Sequence, residues 1–203
     1  MNQISLAGVA ITPSKIICIG RNYVDHIKEL NSETPDDMTV FIKPNSAITE
    51  VLNAVHIEPL HFEAELCFLI NDGKYAAVAV GLDLTKRALQ SKLKAQGLPW
   101  ERSKAFDGSA VFSDFVAFDG VVDDLNFSLD IDDKNIQTGN VELMIYKPDV
   151  ILSELKKFLT LEDGDIVMTG TPAGVGMIKV GQKFEAKLFN ADKLLCSYIS
   201  QAV

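Results

Sequence analysis

The sequence predicts an α+β fold built mostly from antiparallel strands, with a few short helices. Short runs rich in β-branched and aromatic residues recur along the chain and are separated by turn signals. Three of these turns join neighbouring strand candidates and indicate hairpins: Asn71–Gly73, Asp132–Lys134 and Asn190–Asp192. Helical spacing of apolar residues is confined to three segments. Because no repeat, linker or low-complexity tract interrupts the pattern, we expect residues 1–203 to form a single domain.

The individual elements follow from the same signals. Strands are predicted, in chain order, over Lys15–Ile19, Thr39–Ile42, Ala54–Ile57, Glu63–Ile70, Tyr75–Leu82, Phe127–Ile131, Asn135–Thr138, Ile166–Thr169, Lys183–Phe189 and Leu194–Ile199. Helices are predicted over Tyr23–Leu30, Asp83–Ala95 and Val150–Leu159. The polar, proline-containing stretch Asn31–Met38 predicts a mobile loop.

Composition excludes several functional classes. The chain carries 28 acidic and 19 basic side chains, a net charge of −9, so a nucleic-acid or anionic-membrane surface is not expected. The N-terminus lacks a basic segment followed by a long apolar stretch, and no 18-residue apolar run occurs. We therefore expect a cytoplasmic protein without a membrane-spanning helix. The three cysteines form no C-x-x-C motif, which excludes a zinc ribbon or a thioredoxin-type motif.

A pair of acids lies at the start of one predicted strand. Residues i and i+2 of a strand point to the same face, so Glu63 and Glu65 can converge while Ala64 faces away. An all-oxygen site of this kind suits Mg²⁺, Ca²⁺ or Mn²⁺ better than zinc. The spacing by itself is equally compatible with an edge strand whose acids face water.

A second polar cluster follows at the predicted helix Asp83–Ala95. Asp83, Arg87 and Gln90 are spaced i, i+4 and i+7, which would place them on one helix face. Taken locally, the pattern favours Asp83 as the helix N-cap, with an intrahelical ion pair to Arg87. The functional alternative makes Asp83 a third metal ligand, with Arg87 and Gln90 as hydrogen-bond donors to an oxyanion.

Three further features could take part in chemistry. His26 and Glu29 are neighbours at i, i+3, so the carboxylate could orient the imidazole as a general base, although taken alone the pair favours a surface helix with incidental polar residues. Lys104 is a solvated surface lysine unless it lies beside a divalent cation, where it would offset developing negative charge. The glycine-rich segment Gly170–Gly176 exposes backbone N–H groups and the Thr171 hydroxyl, which suits a carboxylate, or it is a tight turn between strands.

These residues lie within six segments that together span nearly the whole chain: Ile19–Tyr23, Phe41–Pro44, His61–Leu66, Gly81–Thr85, Lys104–Asp107 and Gly164–Gly176. In this order the segments resemble the fumarylacetoacetate hydrolase superfamily. The likeness is to its small branch of acylpyruvases, fumarylpyruvate hydrolases and related decarboxylases, tautomerases and isomerases. The resemblance implies a mixed β-roll/β-sandwich fold and a homodimer.

The resemblance also implies a site. Glu63, Glu65 and Asp83 would bind Mg²⁺ or Mn²⁺, and a 2-oxo acid would chelate the metal through its carboxylate and keto oxygens. The dyad of His26 and Glu29, on a lid, would activate a water molecule. Lys104, with Arg87 and Gln90, would stabilise the enolate or oxyanion. Thr171, and Arg21 of the first segment, would bind the substrate.

Two positions depart from the family pattern. Members of the family commonly have a second histidine where Phe62 stands, so a polar partner near the metal is expected to be missing. The interval from Glu65 to Asp83 is also short, as though a helix before the strand of Asp83 had been deleted. Both departures bear on the substrate more than on the metal.

The resulting functional hypothesis is a metal-dependent hydrolase that cleaves the C–C bond of acylpyruvate-type 2,4-dioxo acids. The alternatives within the enzyme class are an oxaloacetate decarboxylase or tautomerase and an isomerase of 2-hydroxy-dienoates, which share the enolate step. The non-enzymatic alternative is a degenerate relative that binds a metal or a 2-oxo acid without turnover.

Overall fold

A computed structural model describes residues 1–31 and 36–203 of the chain. The strands are β1 (Ile4–Leu6), β2 (Val9–Ile11), β3 (Lys15–Gly20), β4 (Thr39–Pro44), β5 (Val55–His56), β6 (Glu58–Pro59), β7 (His61–Phe62), β8 (Ala64–Asn71), β9 (Lys74–Asp83), β10 (Ala110–Phe112), β11 (Val116–Ala117), β12 (Leu125–Ile131), β13 (Lys134–Asn140), β14 (Ile166–Met168), β15 (Gly176–Met177), β16 (Lys183–Asn190) and β17 (Lys193–Gln201). The α-helices are α1 (Val24–Glu29), α2 (Arg87–Ala95), α3 (Glu101–Lys104) and α4 (Pro148–Leu155). None of these helices, within the described ranges, is long and apolar enough to cross a membrane.

Two sheets form the body of the fold. The larger has the strand order β10-β9-β8-β14-β3-β4, with β11 also paired to β9, and the smaller has the order β13-β12-β16-β17. Among the named strands, β14 and β3 pair in parallel and every other pair is antiparallel. This confirms the predicted α+β class with mostly antiparallel strands.

The main core lies between these two sheets. Side chains along β8 alternate between the two faces of the sheet. Leu66, Phe68 and Ile70 lie on one face, are fully buried and pack toward β12 of the smaller sheet. Phe68 also stacks on Tyr75 with ring centroids 4.1 Å apart. Burial of each such side chain stabilises the fold by about 1.5–3 kcal/mol.

The opposite face of the larger sheet carries a second apolar cluster, which includes Cys18, Cys67 and Met168. The carboxylates of Glu63 and Glu65 lie on the same face as Cys67 because all three alternate with Ala64 and Leu66 along the chain. One end of this second face is therefore charged while the rest is apolar.

The hairpin predictions hold with small shifts in their ends. Strands β12 and β13 pair across Asp132 and Asp133, and β16 and β17 pair across Ala191 and Asp192. The predicted strand Ala54–Ile57 shortens to β5, and the predicted helix Val150–Leu159 is observed as α4. The loop predicted over Asn31–Met38 includes residues 32–35, which lie outside the described residues.

The helix predicted over Asp83–Ala95 is wrong at its beginning. Asp83 is the last residue of β9, and α2 begins four residues later, at Arg87. Leu84 and Thr85 stay extended because Thr85 exchanges two backbone hydrogen bonds of 2.9 Å with His61. Asp83 therefore does not cap the helix and does not share a helix face with Arg87 and Gln90.

Both departures from the family pattern have a local structural account. Phe62 is buried in the main core, edge-on to Phe184 with centroids 5.4 Å apart, so its side chain is directed away from the acidic cluster. The interval from Glu65 to Asp83 is filled by the hairpin of β8 and β9, which turn directly into each other at Asp72 and Gly73.

Candidate metal centre and substrate cleft

The register of the β8–β9 hairpin brings three carboxylates together. Ala64 pairs with Leu82, and the Asp83 N–H donates to the Glu63 carbonyl at 2.9 Å, so Glu63 and Asp83 face each other across the two strands. Glu65 follows two residues after Glu63 and points to the same face. Ligand oxygens of the three acids all lie within 4.8 Å of one another, and all three residues are buried. Edge-strand acids facing water are therefore excluded.

Three cations compensate these acids. Lys104 Nζ donates to Glu63 Oε2 at 2.9 Å, to Asp83 Oδ2 at 2.7 Å and to Thr85 Oγ1 at 2.6 Å. Arg87 donates to the other oxygen of Glu63. Lys104 is 2% exposed, which excludes the solvated surface lysine that its sequence context alone favours.

The third cation is Lys43, for which the sequence leaves open whether it faces the site or the solvent. It is completely buried, lies 2.8 Å from Asp83 Oδ1, and donates at 3.0 Å to both the carbonyl and the hydroxyl of Ser109. A signal was present in the sequence, since Lys43 alternates with the buried Phe41 on the same strand. A lysine on the buried face of a strand requires a buried anion.

The three acids have different electrostatic environments. Burial raises the pKa of Glu65 well above its ordinary value, and the neighbouring charges of Asp83 and Glu63 raise it further. Burial acts the same way on Glu63, but Lys104 and Arg87 outweigh it and hold the pKa of Glu63 well below its usual range. Burial alone would lower the pKa of Lys104, whereas Asp83 and Glu63 raise it above its ordinary value. Lys104 is therefore a permanent cation.

The donor set fits a hard divalent cation. Glu65 forms no ion pair among the described residues and accepts one backbone hydrogen bond, from Gly170 N at 2.7 Å. Asp83 Oδ1 is buried and, despite the nearby Lys43, receives no hydrogen bond of good geometry from the described residues. A cation held by these carboxylates would offset the repulsion that raises the pKa of Glu65.

We expect the metal-free protein to lose stability as the pH rises. Because the folded-state pKa of Glu65 is raised, its contribution is fully present below the ordinary pKa and is lost as the pH passes through the raised value. Thermal unfolding of chelator-treated protein between about pH 5 and about pH 8 measures this loss. Saturating Mn²⁺ is expected to suppress it, and an equal pH dependence with and without Mn²⁺ would contradict the assignment.

Arg87 and Gln90 lie on the first turns of α2 and line the cleft above the acids. Arg87 Nη1 donates to Gln90 Oε1 at 2.7 Å. This bond leaves the amide NH₂ of Gln90 as its donor group beside the cleft. The two residues are therefore brought together as predicted, although Asp83 joins them from a strand.

His26 and Glu29 form the predicted pair on α1. His26 Nδ1 lies 3.2 Å from Glu29 Oε2, and Glu29 Oε1 accepts a hydrogen bond of 3.0 Å from the backbone N–H of Gly174. A carboxylate only accepts, so the Nδ1 atom carries a proton, and in the neutral imidazole the lone pair is at the Nε2 atom of His26. His26 is 6% exposed and lines the cleft, so it is not an incidental surface histidine.

The glycine-rich segment lies between the acids and the dyad. Gly170 N donates to Glu65 at one end, and Gly174 N donates to Glu29 at the other. Gly174 has φ +104°, and a Cβ atom there would lie 2.3 Å from the carbonyl oxygen of Ile136, so only glycine fits. Thr171 is buried and lines the cleft.

Arg21 extends the cleft toward a cationic and aromatic rim. Its guanidinium lies 5.6 Å from the ring centroid of Trp100, and Lys94 lies 5.9 Å from the same ring. Burial lowers the pKa of Lys94, and the charges of Arg21 and Arg87 lower it further. Arg21, Lys94 and Trp100 all line the cleft that contains the three acids. Trp100 and Lys94 were not identified from the sequence.

Comparison with known proteins agrees with this geometry. Residues 15–197 match the family model described as fumarylacetoacetate (FAA) hydrolase C-terminal. The oxaloacetate tautomerase YcgM of Escherichia coli strain K12 is 37% identical over 188 residues, which cover 84% of this chain and 86% of that protein. A mitochondrial oxaloacetate tautomerase of Arabidopsis thaliana is 36% identical over 190 residues, 85% of each chain.

Solved structures give the same result. A fumarylacetoacetate isomerase/hydrolase-like structure from Oleispira antarctica superposes with a TM-score of 0.93 at 32% identity and covers all of both chains. The fumarylpyruvate hydrolase of Pseudomonas aeruginosa, in complex with Mn²⁺ and pyruvate, superposes with a TM-score of 0.89 at 26% identity, covering 100% of this chain and 95% of that one. The chain belongs to the fumarylacetoacetate hydrolase family.

Proposed function

We propose that this protein is a divalent-metal-dependent tautomerase that interconverts the keto and enol forms of oxaloacetate. The observation that carries the proposal is a buried cluster of three carboxylates beside an oriented imidazole, Nδ1 of His26 being 3.2 Å from Glu29. The identity with oxaloacetate tautomerases along most of the chain supports oxaloacetate over other 2-oxo acids. The family resemblance in the sequence favours acylpyruvate cleavage, with tautomerisation as an alternative.

Charge balance supports a dianionic substrate. The three buried acids are matched by Lys43, Lys104 and Arg87, so the protein part of the centre is close to neutral. A divalent cation adds two positive charges, which the two carboxylates of oxaloacetate would offset. Arg21 at the rim lies where a second carboxylate, distant from the acids, would be bound.

The residues present fit Mg²⁺ or Mn²⁺, with Glu63, Glu65 and Asp83 as ligands, and Ca²⁺ is compatible with the same oxygens. When bound, such a cation acts as a Lewis acid that polarises the substrate carbonyl and lowers the energy of the enolate.

The protein's own residues account for the proton movement. His26 Nε2 takes a proton from C3 of the keto form, the C3–H electron pair becomes the C2=C3 double bond, and the carbonyl π pair moves to the C2 oxygen. The imidazolium of His26 then gives this proton to the C2 oxygen, which completes the enol and returns His26 to its neutral state. Glu29 stabilises the imidazolium formed between the two transfers. Lys104 stays protonated throughout and offsets the negative charge at the C2 oxygen.

Cleavage of acylpyruvates is a second candidate function. The same imidazole could deprotonate a water molecule for attack on a distal carbonyl, with a pyruvate enolate as the leaving group. The fumarylpyruvate hydrolase of Pseudomonas aeruginosa, whose structure holds Mn²⁺ and pyruvate, favours this candidate. Both functions use the same enolate-stabilising cations and differ in what the imidazole deprotonates.

The deciding experiment is a substrate panel with Mg²⁺ or Mn²⁺ and a chelator control. We expect metal-dependent acceleration of oxaloacetate keto–enol exchange above the uncatalysed rate, with slower or no cleavage of acetylpyruvate and fumarylpyruvate. Faster cleavage of an acylpyruvate than exchange of oxaloacetate would move the assignment to the hydrolase. If the protein turned over none of these substrates and no 2-hydroxy-dienoate, it would be a binding protein and not an enzyme.

A further inference from the structure

We propose that Gln137 is a positioning residue that sets the direction of the Thr171 hydroxyl, so that this hydroxyl donates to a carboxylate of the bound 2-oxo acid. The identity of that ligand rests on the proposed function. The assignment of the hydrogen bonds rests on the geometry alone.

The placement of Gln137 contradicts simple hydrophobic patterning. On β13 the polar Gln137 is 1% exposed, whereas its apolar neighbour Ile136 is 38% exposed. The pairing of β12 with β13 accounts for this burial. Leu129 faces Gln137 but Asp130 faces Asn135, so Ile136 is an extra, unpaired residue. A bulge of this kind redirects the side chains beside it. Burying a primary amide in this way is costly unless its hydrogen bonds are made.

The amide of Gln137 makes three hydrogen bonds, and they fix its orientation. Its Oε1 accepts from the backbone N–H of Ala64 at 3.0 Å, and its Nε2 donates at 2.9 Å to both Pro172 O and Thr171 Oγ1. Ala64 N–H can only donate and Pro172 O can only accept, so the oxygen and nitrogen of the amide cannot be exchanged. The Thr171 hydroxyl is therefore the acceptor in its bond with Gln137.

The hydroxyl proton of Thr171 must then point elsewhere. Within the described residues its one hydrogen-bond acceptor is Pro172 O at 3.5 Å, beyond the roughly 2.5–3.0 Å typical of a hydroxyl donor. Thr171 lines the same cleft as the three acids. With one of its two lone pairs bound by Gln137 Nε2, the hydroxyl still has its proton to donate into the cleft, where it suits an anionic oxygen.

Gln137 also links the two sides of the cleft. Ala64 lies between Glu63 and Glu65, while Pro172 belongs to the turn that reaches Glu29 through Gly174. One uncharged side chain thus connects the metal-binding strand to the turn carrying Thr171. We expect its loss to affect binding of the organic ligand more than binding of the metal.

The test compares Gln137→Glu, Thr171→Val and the double variant, with pyruvate binding to the Mn²⁺-loaded protein measured by calorimetry. An ionised glutamate at 137 can still accept from Ala64 N–H but offers no donor, so the Thr171 hydroxyl would donate to it and turn away from the cleft. A protonated glutamate would keep a donor, so the variants are compared at a pH above its pKa, which unchanged pyruvate affinity between two pH values establishes. Each single variant is expected to bind pyruvate about tenfold more weakly, as for loss of a hydrogen bond to a charged group. The double variant is expected to be no weaker than Thr171→Val alone.

Matched controls separate positioning from damage to the fold. Thr138→Val, on the exposed face of the same strand, is expected to change nothing, and Thr171→Ser should keep the affinity within about threefold because it keeps the hydroxyl. Mn²⁺ affinity should stay within about threefold in every variant, since the three ligands are untouched. If Gln137→Glu does not fold, Gln137→Met is used instead. It is expected to lower the pyruvate affinity by less, and combining it with Thr171→Val should lower the affinity no further than Thr171→Val alone.

Losses that multiply in the double variant, or a parallel fall in Mn²⁺ affinity, would overturn the inference and leave Gln137 a structural residue. Pyruvate binding is measured without turnover. Absence of oxaloacetate tautomerase activity would therefore refute the proposed function while leaving the result on Gln137 and Thr171 unaffected.

Discussion

Replacing Glu65 by glutamine is expected to abolish divalent-cation binding while leaving the metal-free protein at least as stable as the native chain. Glu65 has no ion pair among the described residues, and neighbouring Asp83 and Glu63 repel its charge. A glutamine oxygen can keep the hydrogen bond from Gly170 N. Mn²⁺ titration should show a loss beyond the roughly 10–100-fold that removal of an outer-shell partner causes, with activity falling in parallel.

The matched comparison is Asp83→Asn, which should bind metal as poorly but also unfold more easily. Asp83 is paired with both Lys43 and Lys104, so its neutralisation leaves buried positive charge uncompensated. The expected cost is about 3 kcal/mol, or roughly 6–12 °C in Tm for a chain of this size. If both variants lost the same stability, or if Glu65→Gln still bound Mn²⁺, the acids would be an ion-pair network and not a metal centre.

The hairpins could be predicted because each of them joins strands that are neighbours along the chain, whereas the pairing of β14 with β3 and β8 is long-range. The alternation along β8 and the turn signals after it are properties of neighbouring residues, so the sequence contains them directly. The error at Asp83 has a different origin. Asp83 resembles a helix cap locally, but pairing of Thr85 with His61, 24 positions earlier, keeps the chain extended until Arg87. The two- and three-residue strands, such as β1 and β11, are too short to give a periodic signal.

The site could be predicted where its chemistry is concentrated in short motifs. Glu63 with Glu65, and His26 with Glu29, are pairs whose spacing within one element brings them together. Gln137 gave no such signal, since a glutamine in a hairpin strand is ordinarily exposed, and its burial depends on the bulge at Ile136. Homodimer formation and cytoplasmic location stay predictions.

Replacing His26 by alanine is expected to slow oxaloacetate tautomerisation by about 10³-fold, the middle of the range for a general acid–base residue. Of the titratable groups that line the cleft, Lys104 is held protonated by Asp83 and Glu63, and Glu63 by its low pKa is a poor base. Glu65 and Asp83 serve as metal ligands in this proposal, and the neutral imidazole of His26, with Nδ1 bound to Glu29, offers the lone pair of Nε2. The rate of keto–enol exchange at saturating Mn²⁺ measures the loss.

Two variants on the same helix make this result specific. Glu29→Gln keeps an oxygen for only one of the two donors, His26 Nδ1 or Gly174 N, and removes the charge that stabilises the imidazolium, so we expect a loss of about tenfold or more. Asp25→Ala, at an exposed position whose contact is the surface Lys28, should keep full activity. If His26→Ala lost acylpyruvate cleavage but kept oxaloacetate exchange, the imidazole would serve to activate water. The hydrolase would then be the primary function, and the C3 proton would need another acceptor.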